Sequence, residues 1–140
     1  PEHRDALIDL YSAAGFFAGL RPVEGALDAA RALLAAGHDV RICTAPITNY
    51  RHCVGEKIAW VEEHLGFDWT ARVMLTKDKT LVRGDILIDD KPEISGCLTP
   101  VWQHWLYDAP YNRDINTPRR IRWQDPASWA TLLTPERRTP

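Results

Sequence analysis

Apolar positions recur along the chain at a helical and a strand period in turn, and that alternation predicts the architecture. Pro1 to Ala14 reads as a helix with Leu7, Leu10 and Tyr11 on one face, broken by Gly15-Phe16-Phe17. Pro22 stands where a helix first turn tolerates proline. Val23, Leu27, Ala30 and Leu34 then repeat at i, i+4, i+7 and i+11 until Gly37 stops the run. A strand from Asp39 to Cys43 follows and ends at Thr44-Ala45-Pro46. The helical spacing returns with Val54, Ile58, Val61 and Leu65, stopped by Gly66. Arg72 to Leu75 and Asp85 to Ile88 read as short strands. Ile86-Leu87-Ile88 is apolar on both faces, as in a buried parallel strand. Val101 to Tyr107 is a Trp-rich fifth candidate element, Ile121 and Trp123 suggest an edge strand, and Asp125-Pro126 suits the start of a last helix containing Trp129, Leu132 and Leu133.

Helices alternating with apolar strands imply βαβ units, hence an α/β fold with a parallel sheet flanked by helices. Such sheets bind ligands beyond the carboxyl ends of their strands.

Composition narrows the class. The 140 residues are 45% hydrophobic and 26% charged, ordinary for a soluble globular chain, with a net charge of −2. No global field recommends a nucleic acid polymer or an anionic membrane. Six Arg from Arg113 onward face Asp114, Asp125 and Glu136, which reads as a solvated basic edge. The longest apolar run, Ala26 to Ala36, is broken by Asp28 and Arg31 and falls short of the ~20 residues of a membrane span. Cys43, Cys53 and Cys97 form no paired spacing, so reduced thiols of a cytoplasmic protein are expected, with Cys43 in the core. The start, Pro1-Glu2-His3-Arg4-Asp5, is no signal peptide and lacks an initiator Met, which reads as a fragment or a processed product. His38 and His64 read as solvated, His52 as a residue that could approach a substrate, and the Trp side chains as packing.

Three strand ends carry candidate chemistry. Thr44 offers a hydroxyl, and Ala45 a backbone N–H, to one phosphate oxygen; taken alone, Thr44 reads sooner as a residue finishing its strand. Lys79, in Leu75-Thr76-Lys77-Asp78-Lys79-Thr80, could neutralise phosphate charge; taken alone, it reads as a surface lysine. Asp89-Asp90 sets two adjacent carboxylates after an apolar strand, where repulsion and burial call for a cation. Mg²⁺ suits them. A hydroxyl, an ammonium and an acid pair at successive strand ends are together the parts that bind a metal-bound phosphoryl group.

Across roughly residues 15 to 133 the chain resembles the 5'(3')-deoxyribonucleotidases of the haloacid dehalogenase superfamily. The resemblance rests on Gly15-Phe16-Phe17, Leu20-Arg21-Pro22-Val23-Glu24-Gly25-Ala26, Ile42 to Ile47, Tyr50 to Lys57, Trp60-Val61-Glu62, Leu75 to Thr80 and Gly84 to Pro92. It implies a Rossmann-like core over residues 20–133 and a remnant of the cap at 1–19, while the chain end at 134–140 reads as a frayed tail. It also implies a Mg²⁺-dependent phosphatase that hydrolyses (deoxy)nucleoside 5'-monophosphates through an aspartyl-phosphate intermediate. Thr44 and Ala45 would then bind the transferring phosphoryl group and Lys79 would balance its charge. Asp90 would ligate Mg²⁺, with Asp89 acting through water or hydrogen bonds. Phe16 and Ile47 would lie beside the nucleobase and Lys77 near the pocket mouth. A cytoplasmic homodimer is the implied setting, with no interface legible here.

Two departures stand out. Ala45 replaces a Ser common in the family, and no Asp-x-Asp, the source of the attacking carboxylate and its proton-donating partner, occurs. Asp5 and Asp9 lie on a helix with no strand before them. The resemblance implies a preceding segment with a central strand, whose loss would leave buried ladder groups without partners. The sequence as it stands is therefore expected to be a truncated record of a longer protein, or to have its N-terminal piece supplied elsewhere, and to be inactive. A non-catalytic nucleotide- or partner-binding relative, and a superfamily phosphatase of another substrate class, are the alternatives. A receiver-type signalling module fits poorly, because there the acid pair precedes the Thr and the Lys comes last.

Overall fold

The computed structural model describes residues 2–134, so the tail at 135–140 lies outside the described residues. The chain forms two compact units that interleave along the sequence: Pro1–Pro22 with Arg41–Lys77, and Val23–Val40 with Asp78–Pro140.

The first unit contains helix α1 (Glu2–Ser12), strand β1 (Ile42–Thr44), helix α3 (Tyr50–Leu65), a 3-10 segment at Phe67–Arg72 and strand β2 (Val73–Leu75). β1 and β2 run parallel, with Ile42 opposite Val73 and Thr44 opposite Leu75. Cys53 and Val61 are the buried positions of α3, eight residues and just over two turns apart. Gly66 ends that helix at φ 106°, where a side chain would be strained. Three expectations change. Cys43 is only half-buried, while Cys53, on the inner row of α3, is the enclosed thiol. His64 is not simply solvated, because its ring lies 4.4 Å from that of Trp60 one turn earlier. On α1, Leu7 and Leu10 are exposed, and Tyr11 alone of the expected face is drawn in, against the edge of Phe16.

The second unit contains helix α2 (Ala26–Ala35), strand β3 (Ile86–Asp89), strand β4 (Gln103–Tyr107) and strand β5 (Arg120–Ile121). Its sheet has the order β3-β4-β5, parallel throughout, with Asp89 opposite Leu106 and Tyr107 opposite Ile121. Ala29, Leu33, Ile121, Trp129 and Leu132 form the core, with Val40, Ile88, Trp105, Tyr107 and Trp123 packed against it. Trp102 and Trp129 are buried, as the reading of Trp as packing requires.

Five expectations change in this unit. α2 starts at Ala26, not Pro22, because Gly25 takes the left-handed conformation (φ 78°) just before it. A Cβ on Gly25 would stand 2.5 Å from the Trp123 carbonyl oxygen, so the chain there accepts only glycine. The buried row of α2 is Ala29–Leu33, one step round from Val23, Leu27, Ala30 and Leu34. Asp125 caps as expected, accepting the Ala127 N–H, but 3-10 turns at Pro126–Ser128 and Ala130–Leu133 follow instead of an α-helix. Trp129, at φ −128°, interrupts the helical run between them. Ile86 is exposed, since it opens an edge strand paired only with β4. His38 is held by the Leu132 carbonyl rather than by solvent alone.

The fold is therefore mixed α/β with parallel strands in small sheets flanked by helices, as the alternation of periods predicts. It is consistent with a Rossmann-like haloacid dehalogenase core.

Candidate active site

In the first unit, Thr44 ends β1 with its hydroxyl accepting a hydrogen bond from Lys57 Nζ at 2.9 Å. The same ammonium donates to the Ala45 carbonyl at 2.7 Å and stands 4.9 Å from the centre of the Phe17 ring. The preceding residue, Glu56, fastens the turn after α1. Its carboxylate accepts the backbone N–H groups of Gly15 at 2.6 Å, Phe17 at 3.1 Å and Ala18 at 3.2 Å. The Gly15 N–H holds the Glu56 carboxyl below its usual range; burial opposes that, while Ala18, Phe17 and nearby His52 add to it. Phe16 sits in this pinned turn, edge-on to Phe17 at 5.1 Å. Ile47 is half-buried, and Ala45, His52 and Lys77 are exposed.

Two consecutive residues of α3 thus hold the Phe16 turn and the Thr44 strand end. Sequence reasoning assigned Glu56 and Lys57 no role. The only signal was an acid beside a base on the helix that follows β1.

In the second unit, Lys79 and Asp89 form an ion pair through Lys79 Nζ and Asp89 Oδ2. The other carboxylate oxygen accepts the Lys91 N–H at 3.0 Å. Burial pushes the Asp89 carboxyl up, but the Lys79 ammonium and the Lys91 N–H outweigh it and hold the group below its usual range. Asp78 places Lys79. One of its oxygens accepts the Thr80 N–H and hydroxyl at 2.9 and 2.6 Å, and the other accepts the Cys97 N–H at 2.8 Å. These bonds, the Thr80 hydroxyl first, keep Asp78 ionised far below the normal carboxylate range.

Asp90, next along the chain, is exposed, and its side chain also meets the Asp89 carboxyl. Its Oδ2 accepts the Tyr111 hydroxyl, and its backbone carbonyl accepts from Asn112 Nδ2 at 2.7 Å. Asn112 is fully buried and belongs to a 3-10 turn at Pro110–Asn112. Arg120 ties that turn down, bonding Asn112 Oδ1 at 2.9 Å and Asp108 Oδ1 at 2.8 Å. Arg113 and Arg122 also approach Asp108, so part of the Arg-rich C-terminal stretch is spent on one enclosed carboxylate. Burial, with the charges of Asp108 and Asp90, pushes the Tyr107 phenol up.

The structure thus brings Lys79, Asp89 and Asp90 together at the carboxyl end of β3. No group of three or more His, Cys, Asp or Glu able to hold a metal occurs among the described residues. Two adjacent carboxylates fit Mg²⁺, which keeps several waters and takes one or two carboxylates from the protein. They do not fit a thiolate- or imidazole-bound transition metal.

Comparison with known proteins gives a consistent result. Residues 1–132 match the family described as "5' nucleotidase, deoxy (Pyrimidine), cytosolic type C protein". A Bordetella pertussis protein named "Putative 5'(3')-deoxyribonucleotidase" is 51% identical over 97% of this chain and 72% of its own length. The human "5'(3')-deoxyribonucleotidase, cytosolic type" is 43% identical over 98% of this chain and 70% of its own length. The human "5'(3')-deoxyribonucleotidase, mitochondrial" is 38% identical over 98% of this chain and 62% of its own length.

Proposed function

Because the chain belongs to the 5'(3')-deoxyribonucleotidase family, an enzyme family of nucleotide phosphatases, we propose that its residues serve Mg²⁺-dependent hydrolysis of (deoxy)nucleoside 5'-monophosphates to nucleoside and phosphate. The observation that carries this reading is the Lys79–Asp89 ion pair beside the exposed Asp90 carboxylate at the end of β3.

Each residue then has a task. Asp90, with Asp89 through water or hydrogen bonds, would hold Mg²⁺, which when bound offsets the negative charge of the phosphate. Lys79 keeps Asp89 ionised and presents an ammonium to phosphate oxygens. Thr44 donates its hydroxyl to a phosphate oxygen, since Lys57 already bonds the hydroxyl oxygen and leaves the proton to give. The Ala45 N–H is a second donor. Phe16 and Ile47 would face the base, and Lys77 would stand at the mouth. The aspartate that would attack phosphorus, and the one that would protonate the leaving group, have no Asp-x-Asp among these 140 residues to supply them. The chain by itself is therefore proposed to be inactive, and the intact protein active.

A cytoplasmic homodimer acting on free nucleotides, not on a nucleic acid polymer, completes the reading. The higher identity to the human cytosolic type than to the mitochondrial one supports the cytoplasmic part of that reading alone. Among the described residues no helix is long and apolar enough to cross a membrane. A non-catalytic nucleotide-binding relative is the second reading, and the missing Asp-x-Asp is what favours it.

Phosphate release from a panel of deoxynucleoside monophosphates, with and without Mg²⁺, separates the two. Metal-dependent turnover by the intact protein and none by the 140-residue chain is the expected result. Nucleotide binding without turnover by the intact protein would favour the second reading.

A further inference from the structure

Asp90 is held at two points by consecutive residues of one 3-10 turn. Tyr111 donates its hydroxyl to Asp90 Oδ2, and Asn112 donates Nδ2 to the Asp90 backbone carbonyl at 2.7 Å. We propose that Tyr111 and Asn112 are positioning residues that fix the direction of the Asp90 carboxylate for a divalent cation. The inference rests on the reading of Asp90 as a metal ligand.

Asn112 has the features of a fixed joint. It is fully buried, and its amide makes four hydrogen bonds, as many as an amide side chain commonly makes. Nδ2 donates to the carbonyls of Asp90 and Tyr107, at 2.7 and 2.9 Å. Oδ1 accepts from the Ala109 N–H at 3.1 Å and from Arg120 Nη1 at 2.9 Å. Two carbonyls on one side and two donors on the other permit a single amide orientation, so Asn112 is not free to turn. Arg120 is fixed in its turn. It bonds Asp108 Oδ1, and its second nitrogen donates to the carbonyls of Asn112 at 2.9 Å and Ile115 at 2.6 Å. The joint therefore links the Asp90 loop to the ends of β4 and β5.

Tyr111 is the opposite kind of contact. It is an exposed ring whose hydroxyl reaches the carboxylate itself. By taking Oδ2 it sets the rotation of the carboxyl group and directs Oδ1, the oxygen it does not take, to the cation. Groups that orient metal-bound carboxylates are worth about 10- to 100-fold in metal affinity.

The test is direct binding of Mn²⁺ to the intact protein, read by the loss of the free-ion electron paramagnetic resonance signal and needing no turnover. Tyr111→Phe, at an exposed position, is expected to melt with the wild type and to bind Mn²⁺ about tenfold more weakly. Wild-type affinity in a Tyr111→Phe protein of unchanged melting temperature overturns the proposal. Asn112→Ala should weaken binding further, with a lower melting temperature. Asp90→Asn, run in parallel, separates the two levels. If it abolishes Mn²⁺ binding while Tyr111→Phe does nothing, the positioning role fails alone. If Asp90→Asn also binds normally, the reading of Asp90 as a ligand fails with it.

Discussion

The Lys79 ammonium is bonded to Asp89, a carboxylate whose side chain is only 7% exposed. Neither group is well placed without the other. Removing the cation leaves the enclosed charge to the Lys91 N–H and the neighbouring Asp90 side chain. Lys79→Met keeps most of the apolar stem and deletes the charge, and it should destabilise the fold by about 3 kcal/mol. Chemical denaturation of the variant against the wild type checks this, and a difference under about 0.5 kcal/mol would show the pair to be structurally idle.

The same pair sets a pH dependence. The folded Asp89 carboxyl lies below its ordinary value of 3.8. Its contribution to stability is thus complete above that value and is lost as pH falls through the lower, folded one. Asp78, held far below the ordinary carboxylate range, acts in the same direction. Melting temperature should hold steady down to about pH 5 and fall steeply below about pH 4. In Lys79→Met the fall should begin at higher pH, because the acid then loses its cation; an unshifted profile would contradict the assignment.

Gly25 tests the packing of the second unit. Its φ of 78° and the 2.5 Å separation of a Cβ from the Trp123 carbonyl act together. Gly25→Ala should cost roughly 2–4 kcal/mol, from left-handed strain and displacement of the backbone at Trp123. A thermal melt within a degree of the wild type would mean that the two segments do not meet so closely.

Glu56 tests the pinned turn of the first unit. Glu56→Ala removes the acceptor of the Gly15, Phe17 and Ala18 N–H groups, so those amides should exchange hydrogen faster. Amides within α3 should keep their protection. Unchanged exchange at Phe17 and Ala18 would show that the turn is held by other contacts.

These residues also show where sequence reading reached its limit. The strands were legible because parallel strands that are at least partly enclosed write short apolar runs, and Thr44, Lys79 and Asp89-Asp90 were legible because they stand at or just beyond strand ends. The burial of α2 was read one step round, since its periodic apolar residues outnumber those the core can enclose. Tyr111 and Asn112 were not legible, and Glu56 only as an acid beside a base on the helix after β1. Glu56 bonds backbone 41 residues away, and Asn112 bonds a carbonyl 22 residues away. Backbone groups carry no residue identity, so no pattern along the chain announces such partners.

The claim on which the account turns is that Asp90 holds the cation a nucleotide phosphatase needs. Phosphate release from a deoxynucleoside 5'-monophosphate by the intact protein, measured against Mg²⁺ concentration for wild type and Asp90→Asn, tests it most directly. The account predicts Mg²⁺-dependent turnover in the wild type and a loss of about a hundredfold or more in the variant. A variant that turns over at the wild-type rate with the same Mg²⁺ dependence would contradict it.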